Sequence, residues 1–348
     1  MKQVAISVLV ICGTLACAGQ TSQEPSNFFK HYIGLEDNQI ADIQQGKPVT
    51  KVISTKTPSE VVVFGAIYIN GSPADYLSAA QNVDALRKSP NYLAVRRFSS
   101  TPQLSDFQGF VLDESDIKDL KDCTPGNCKL QLPEESIEQF KRQVNWSAPD
   151  YQTQVNNLAQ KMALDMIVRY QQDGNSALGS YYDKEHPVHV VEQFDALLSQ
   201  SSSMSQYLPD LKKYLVDYPH AQLANSQSVF FWEKVKFGLK PTLRINQMVI
   251  YQGSGPSGPL DSIAIKQLYS SHYFQTALDL SVCARDSSHP DKGFYLITVK
   301  GSRQAGLTGP KGAIIRQNAV SRMRSSLEAS LTHIRGALEN KQQAATSH

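Results

Sequence analysis

GAIIRQNAVSRMRSSLEASLTHIRGALEN, residues 312–340, decides the architecture. Its apolar residues Ile315, Ala319, Met323, Leu327, Leu331, Ile334 and Leu338 recur every three or four positions, so a helix lines them up in one stripe. Arg316, Arg322, Arg324, Glu328, Arg335 and Glu339 fill the remaining surface. A long helix with one apolar stripe must lay it on a partner surface. The segments upstream supply a sheet for that purpose.

Working outward, IAIKQLYSSHYFQTALDLSVCA (263–284) carries Ala264, Leu268, Ser270, His272, Phe274, Thr276, Leu278, Leu280 and Val282 at every second position. Read as one long strand, it turns this mostly apolar face toward the core or a cavity. A partner strand is expected at 293–301, joined through Ser287–Asp291. Val229, Phe231, Val235 and Phe237 alternate in 228–237, and Leu243, Ile245, Val249 and Tyr251 alternate after Pro241, which suits the first position of a strand. The glycine- and proline-rich 253–259 reads as a loop.

The N-terminal half predicts a short helix over 36–45, strands at 49–56 and 60–69, and a helix opened by Ser72-Pro73 and running to about 88. Strands are expected at 92–99, 107–114 and 128–132. Pro133-Glu134-Glu135 restarts helix, and 150–218 keeps helical spacing apart from the serine-rich 199–205. The chain divides into a leader (1–18), a linker with a short helix (19–48), one α+β domain (49–343) holding a helical insertion at 134–218, and a tail (344–348).

The order of elements, strand, helix, antiparallel strands with a helical insertion and then a long C-terminal helix, resembles the START-like (SRPBCC) helix-grip superfamily. The resemblance covers roughly 49–132 and 220–340 and carries no signature motif. It implies a curved antiparallel sheet wrapping the C-terminal helix, with an apolar ligand such as a lipid or sterol held between them.

Bulk properties narrow the function. The 348 residues carry a formal net charge of +2, which gives no basis for nucleic-acid binding. Lys2, the apolar run Val4–Leu15 and the small residues to Gly19 form a secretory signal with cleavage after Ala18, so a periplasmic or extracellular location is expected. A lipid anchor through Cys17 is the second reading, although Thr14 stands where that signal wants leucine. Cys123 and Cys128 flank Pro125-Gly126, a type II turn pair, and should form a disulfide outside the cytosol. Cys283 is left over and reads as a buried apolar residue.

Catalytic signatures are absent: no Gly-x-Ser-x-Gly elbow, no His-Glu-x-x-His, no Walker loop and no dinucleotide fingerprint. Gly306–Gly312 reads as a connector, and no cofactor is expected. His186 and His189, with Glu185 and Glu192 nearby, lack a clear third ligand and have Pro187 between them, so no metal site is assigned. His272 sits on the apolar face of 263–284 as a satisfied core histidine or as a polar anchor in a pocket. Glu233 shares a face with Phe231 and Val235 and needs a partner, His272 or Arg244. A one-residue change of register instead turns Trp232 inward and leaves Glu233 in solvent. The expected ligand contacts are His272, Glu233, Trp232, Phe274, Tyr251 and Leu268. The leading expectation is an exported binding or carrier protein for an apolar or amphipathic small molecule. The rivals are a hydrolase-type enzyme using Glu233 and His272, and an envelope interaction protein that contacts a membrane surface or presents helices 134–218 to a protein partner.

Overall fold

The structure is a computed structural model that describes residues 25–88, 91–237, 240–255, 258–285 and 292–346. The leader, Cys17 and the Ser287–Asp291 connection lie outside the described residues. The chain is α+β. The main sheet has eight strands in the order β1-β2-β10-β9-β8-β7-β6-β3, every neighbouring pair antiparallel. These strands are β1 Val49–Ile53, β2 Glu60–Ile69, β3 Tyr92–Arg97, β6 Ser226–Phe237, β7 Lys240–Gly255, β8 Gly258–Ser270, β9 Phe274–Arg285 and β10 Phe294–Gln304. A separate two-stranded pair joins β4 Ser180–Tyr181 to β5 Val188–His189. The helices are α1 Pro25–Phe28, α2 Asp37–Gln44, α3 Pro73–Gln81, α4 Glu114–Lys121, α5 Glu134–Gln143, α6 Tyr151–Asp173, α7 Val190–Ser199, α8 Ser202–Tyr207, α9 Pro209–Asp217 and α10 Gly309–Thr346.

Both faces of the sheet are covered, which is why its strands are apolar on both sides. On the first face, alternation turns Val61, Val63 and Ile67 of β2 and Phe294 and Leu296 of β10 toward α10, whose Leu327, Leu331 and Leu338 complete one core with Tyr76 and Leu77 of α3. α10 comes close to β2 at Gly65, where a Cβ would lie 2.7 Å from Leu327 Cδ2. Only glycine allows the helix so near the strand. On the opposite face, α6 packs on Phe230, Trp232 and Ile245, and α7 to α9 pack on Val249 and Ala264. Phe29, Ile40 and Ile43 cover Phe64 and Ala66. The apolar stripes of α6, α7 and α9 therefore face the sheet, and that of α5 packs on α4 and α6.

Several expected elements are corrected. Residues 107–114 form no strand: a 3-10 turn, Leu104–Phe107, precedes α4, whose acidic first turn and basic last turn suit a helix dipole. Residues 128–132 bend at Lys129–Leu130 and join no strand, and Gln131 N bonds Ser271 O while Tyr182 N bonds Leu132 O. The helix from 73 ends at Gln81 and a 3-10 turn, Val83–Lys88, follows. The glycine- and proline-rich 253–259 is largely strand, β7 reaching Gly255 and β8 starting at Gly258. Residues 263–284 are two strands, not one. The chain reverses at Ser271–Tyr273, where Tyr273 adopts φ 65° and the Ser270 hydroxyl donates to His272 O at 2.8 Å. Even-numbered residues on the two sides of that turn thus belong to neighbouring strands and share no single face by count.

Candidate functional site

The part of the α10 face formed by β6 to β10 carries a polar patch within an otherwise apolar surface. Glu233 stands between Phe231 and Val235 on β6, and its cross-strand neighbour on β7 is Arg244, with Nη1 to Oε1 at 3.2 Å. The Arg244 guanidinium lies over the Phe274 ring at 5.3 Å from its centroid. Two residues further along β7 comes Asn246, whose cross-strand neighbour on β8 is Gln267. Asp279 of β9 and Lys300 of β10 are cross-strand neighbours at 2.6 Å. Two opposite-charge pairs thus border two neutral amides.

Burial grades across the patch. Asn246 is 0% exposed, Gln267 1% and Glu233 4%. The side chains of Arg244, Asp279 and Lys300 keep 18%, 28% and 32% of their surface. Burial raises the Glu233 carboxyl above its usual range, while Arg244 and the neighbouring Asn246 amide pull it back. Tyr92, at the border, is pushed up by burial and by the Glu233 charge. Arg244 Nε, both amide atoms of Asn246 and Gln267 Oε1 are buried and have no protein partner in full hydrogen-bond geometry. Each such group costs about 1–3 kcal/mol when left unpaired, so four in one place are not explained by stability.

The structure separates the residues that the sequence grouped as ligand contacts. Glu233 and Phe274 come together through Arg244. Trp232 and Leu268 lie on the other face under α6, where Trp232 Nε1 donates to Asp106 O at 2.8 Å. Tyr251 is also on that face, against α7 to α9. His272 sits in the β8–β9 turn with Nε2 2.9 Å from Asp116 Oδ2 of α4. Glu233 and His272 therefore have different partners and do not form an acid–base pair with each other. Asp116 also receives Lys240 at 2.7 Å, and Lys240 reaches Asp119 at 2.8 Å. Burial works to raise the Asp116 carboxyl, but the His272 and Lys240 hydrogen bonds outweigh it and hold it below the usual value.

Next to this ionic chain lies the Cys123–Cys128 disulfide, with Cα atoms 4.5 Å apart; Cys283 is free and buried. His189 Nδ1 meets the Ser180 hydroxyl at 2.7 Å across the β4–β5 pair. Among the described residues, no group of three or more His, Cys, Asp or Glu side chains is placed to hold a metal ion.

Sequence reasoning missed Lys266. It is 0% exposed on the insertion face of β8. Its ammonium donates to Tyr170 Oη at 3.2 Å, to Leu215 O at 3.1 Å and to Asn175 Oδ1, and it stacks on Phe194 at 4.1 Å from the ring centroid. Burial pushes the amine down to about 7, with Asp195 acting in the other direction. The available signal was a single charge inside the apolar run Ile263–Leu268. Asn246, Gln267, Asp279 and Lys300 were missed as well, because their coming together depends on register between strands. No family model, no curated protein and no solved structure matches the chain.

Proposed function

We propose that this is an exported, non-catalytic binding protein for an amphipathic small molecule, and that Arg244, Asn246 and Gln267 receive the molecule's polar end. The observation that carries the reading is the group of buried donors and acceptors without protein partners on one stretch of sheet. A ligand group offering both a donor and an acceptor satisfies them. Phe274, Tyr92 and the partly buried Ile265 give its apolar part a surface. Glu233 and Asp279 offset Arg244 and Lys300, so the site is charge-balanced and suits a neutral or zwitterionic polar end. Of the expected contacts, Glu233 and Phe274 stay in this reading; Trp232, Leu268, Tyr251 and His272 act in packing or in the Asp116 ion pair. Export rests on the leader at 1–18, and the disulfide supports it. The sheet with its long C-terminal helix supports kinship with the START-like superfamily.

The test is mass spectrometry of small molecules extracted from purified wild type and from Asn246→Leu and Gln267→Met. Gln267→Met removes the 3.4 Å hydrogen bond from Gln267 Nε2 to Phe274 O, and Asn246→Leu removes the amide beside the Glu233 carboxyl, so urea midpoints measured beside the extracts should show that each variant still folds. The same variants should lose the co-purifying molecule. Equal extracts from all three proteins would reject the site.

A further inference from the structure

The N-terminal half of α10 presents a surface that the fold does not use. Leu327 and Leu331 are 2% and 1% exposed and fix the side of the helix that meets the sheet. Positions three and four apart share a side of a helix, so Lys311, Ile315, Asn318, Arg322, Ser325 and Ala329 fall on the opposite side. All six are exposed, and so is Ile314. Ile314 keeps 65% of its surface and Ile315 53%, among the most exposed large apolar side chains described. Neither packs on anything in this chain's core clusters.

Charge decides what fits there. Residues 305–327 hold Lys311, Arg316, Arg322 and Arg324 and no Asp or Glu. Arg316 Nε donates to Pro58 O at 3.2 Å, and Arg324 Nε donates to Thr50 Oγ1 at 3.4 Å, so these two spread the positive charge toward the β1 edge, near exposed Lys56. Glu60, which follows, is buried at 1% exposure and does not offset the surface. No helix among the described residues is long and apolar enough to cross a membrane.

We infer that the Lys311–Arg322 side of α10 docks onto an anionic phospholipid surface, with Ile314 and Ile315 entering the headgroup boundary and Lys311 and Arg322 pairing with lipid phosphates. A second copy of the chain fits less well. Face-to-face helices would oppose Lys311 and Arg322 to the same cations, with no carboxylate within 305–327 to relieve them.

The probe is Ile315→Trp in the full chain, mixed with vesicles of brominated phosphatidylglycerol and phosphatidylcholine. Bromine quenches a nearby indole, so quenching beyond that of wild type, which carries Trp146 and Trp232, reports depth at this one position. Extra quenching is expected with the anionic vesicles and little with brominated phosphatidylcholine alone. Adding Lys311→Gln and Arg322→Gln should weaken partitioning about thirtyfold, the equivalent of about 1 kcal/mol for each cation. Raising the salt to about 1 M should weaken it in the unaltered background too, because surface charges are then screened. All these side chains are exposed, and urea midpoints should confirm that the variants fold. No extra quenching at position 315, equal quenching on zwitterionic vesicles, or a salt-insensitive dimer that buries the introduced indole without lipid would each overturn the assignment.

Discussion

Replacing Lys266 by methionine should flatten the pH dependence of stability between pH 7 and pH 9. The amine has an ordinary value of 10.5, and burial lowers it to about 7 in the folded chain. Between those two values the unfolded chain holds a proton that the folded chain has released, so stability rises with pH through the window. Below about pH 6 both states are protonated and this group contributes no slope. Integrated from pH 7 to pH 9, the gain is about 2 kcal/mol. Methionine matches the length of the lysine stem, cannot titrate and keeps contact with Phe194 and Tyr170. It also leaves Asn175 Oδ1 and Leu215 O without a donor, which lowers stability at every pH. The pH-dependent part is therefore read as a difference of differences. Urea unfolding followed by tryptophan fluorescence at pH 7, 8 and 9 gives the stability of each protein. The gap between wild type and Lys266→Met should widen by about 2 kcal/mol over that range, because all other titrations are common to both. A constant gap would refute the buried, largely neutral amine.

Leu327→Asp should unfold the domain or lower its stability by on the order of 4 kcal/mol or more, because a carboxylate would face Gly65 and the β2 core; an unchanged thermal midpoint would place α10 outside the core. Alkylation mass spectrometry without reductant should leave Cys123 and Cys128 unlabelled, and labelling of both would contradict the disulfide. Asp116 has a lowered folded value, so its stabilisation is present above its unfolded value of 3.8 and is lost as the pH falls through the folded one. Asp116→Asn should accordingly show a shallower loss of stability below about pH 4 than wild type, and parallel acid titrations would dismiss the His272–Asp116 and Lys240–Asp116 contacts as contributors.

The long periodic segments were legible. α10 announces itself by its stripe, and β2 by its continuous apolar run. Glu233's need for a partner was legible because alternation puts it on an apolar face, but the sequence left His272 and Arg244 both open, and only the β6–β7 register selects Arg244. The turn at Ser271–Tyr273 was not legible. Ser270, His272, Phe274 and Thr276 continue the two-residue period across it, so nothing local distinguishes one long strand from a hairpin. That single reversal removed His272 from the expected pocket, because it moved the residue from mid-strand to a strand end within reach of α4. The strand readings of 107–114 and 128–132 failed for a related reason. Leu112, Leu130 and Leu132 are apolar in order to pack beside helices, and Leu130 and Leu132 are buried there. The amides of Asn246 and Gln267 meet only through the β7–β8 register, which includes an irregularity between Ile245 and Asn246 that no count along the chain could supply.

The strand order has a consequence for how the chain is made. β2 hydrogen-bonds to β1 on one side and to β10 on the other, so its second neighbour is the last strand synthesised. Ile69 and its partner Phe294 are separated by more than two hundred residues. Until β10 appears, VVVFGAI (61–67) is an unprotected edge of high β-propensity, without charge or proline, facing other copies of itself. A polypeptide threaded through a membrane pore N-terminus first would expose that edge on the far side for almost the whole passage. On the export reading, β2 gains its second neighbour only when β10 reaches the far side.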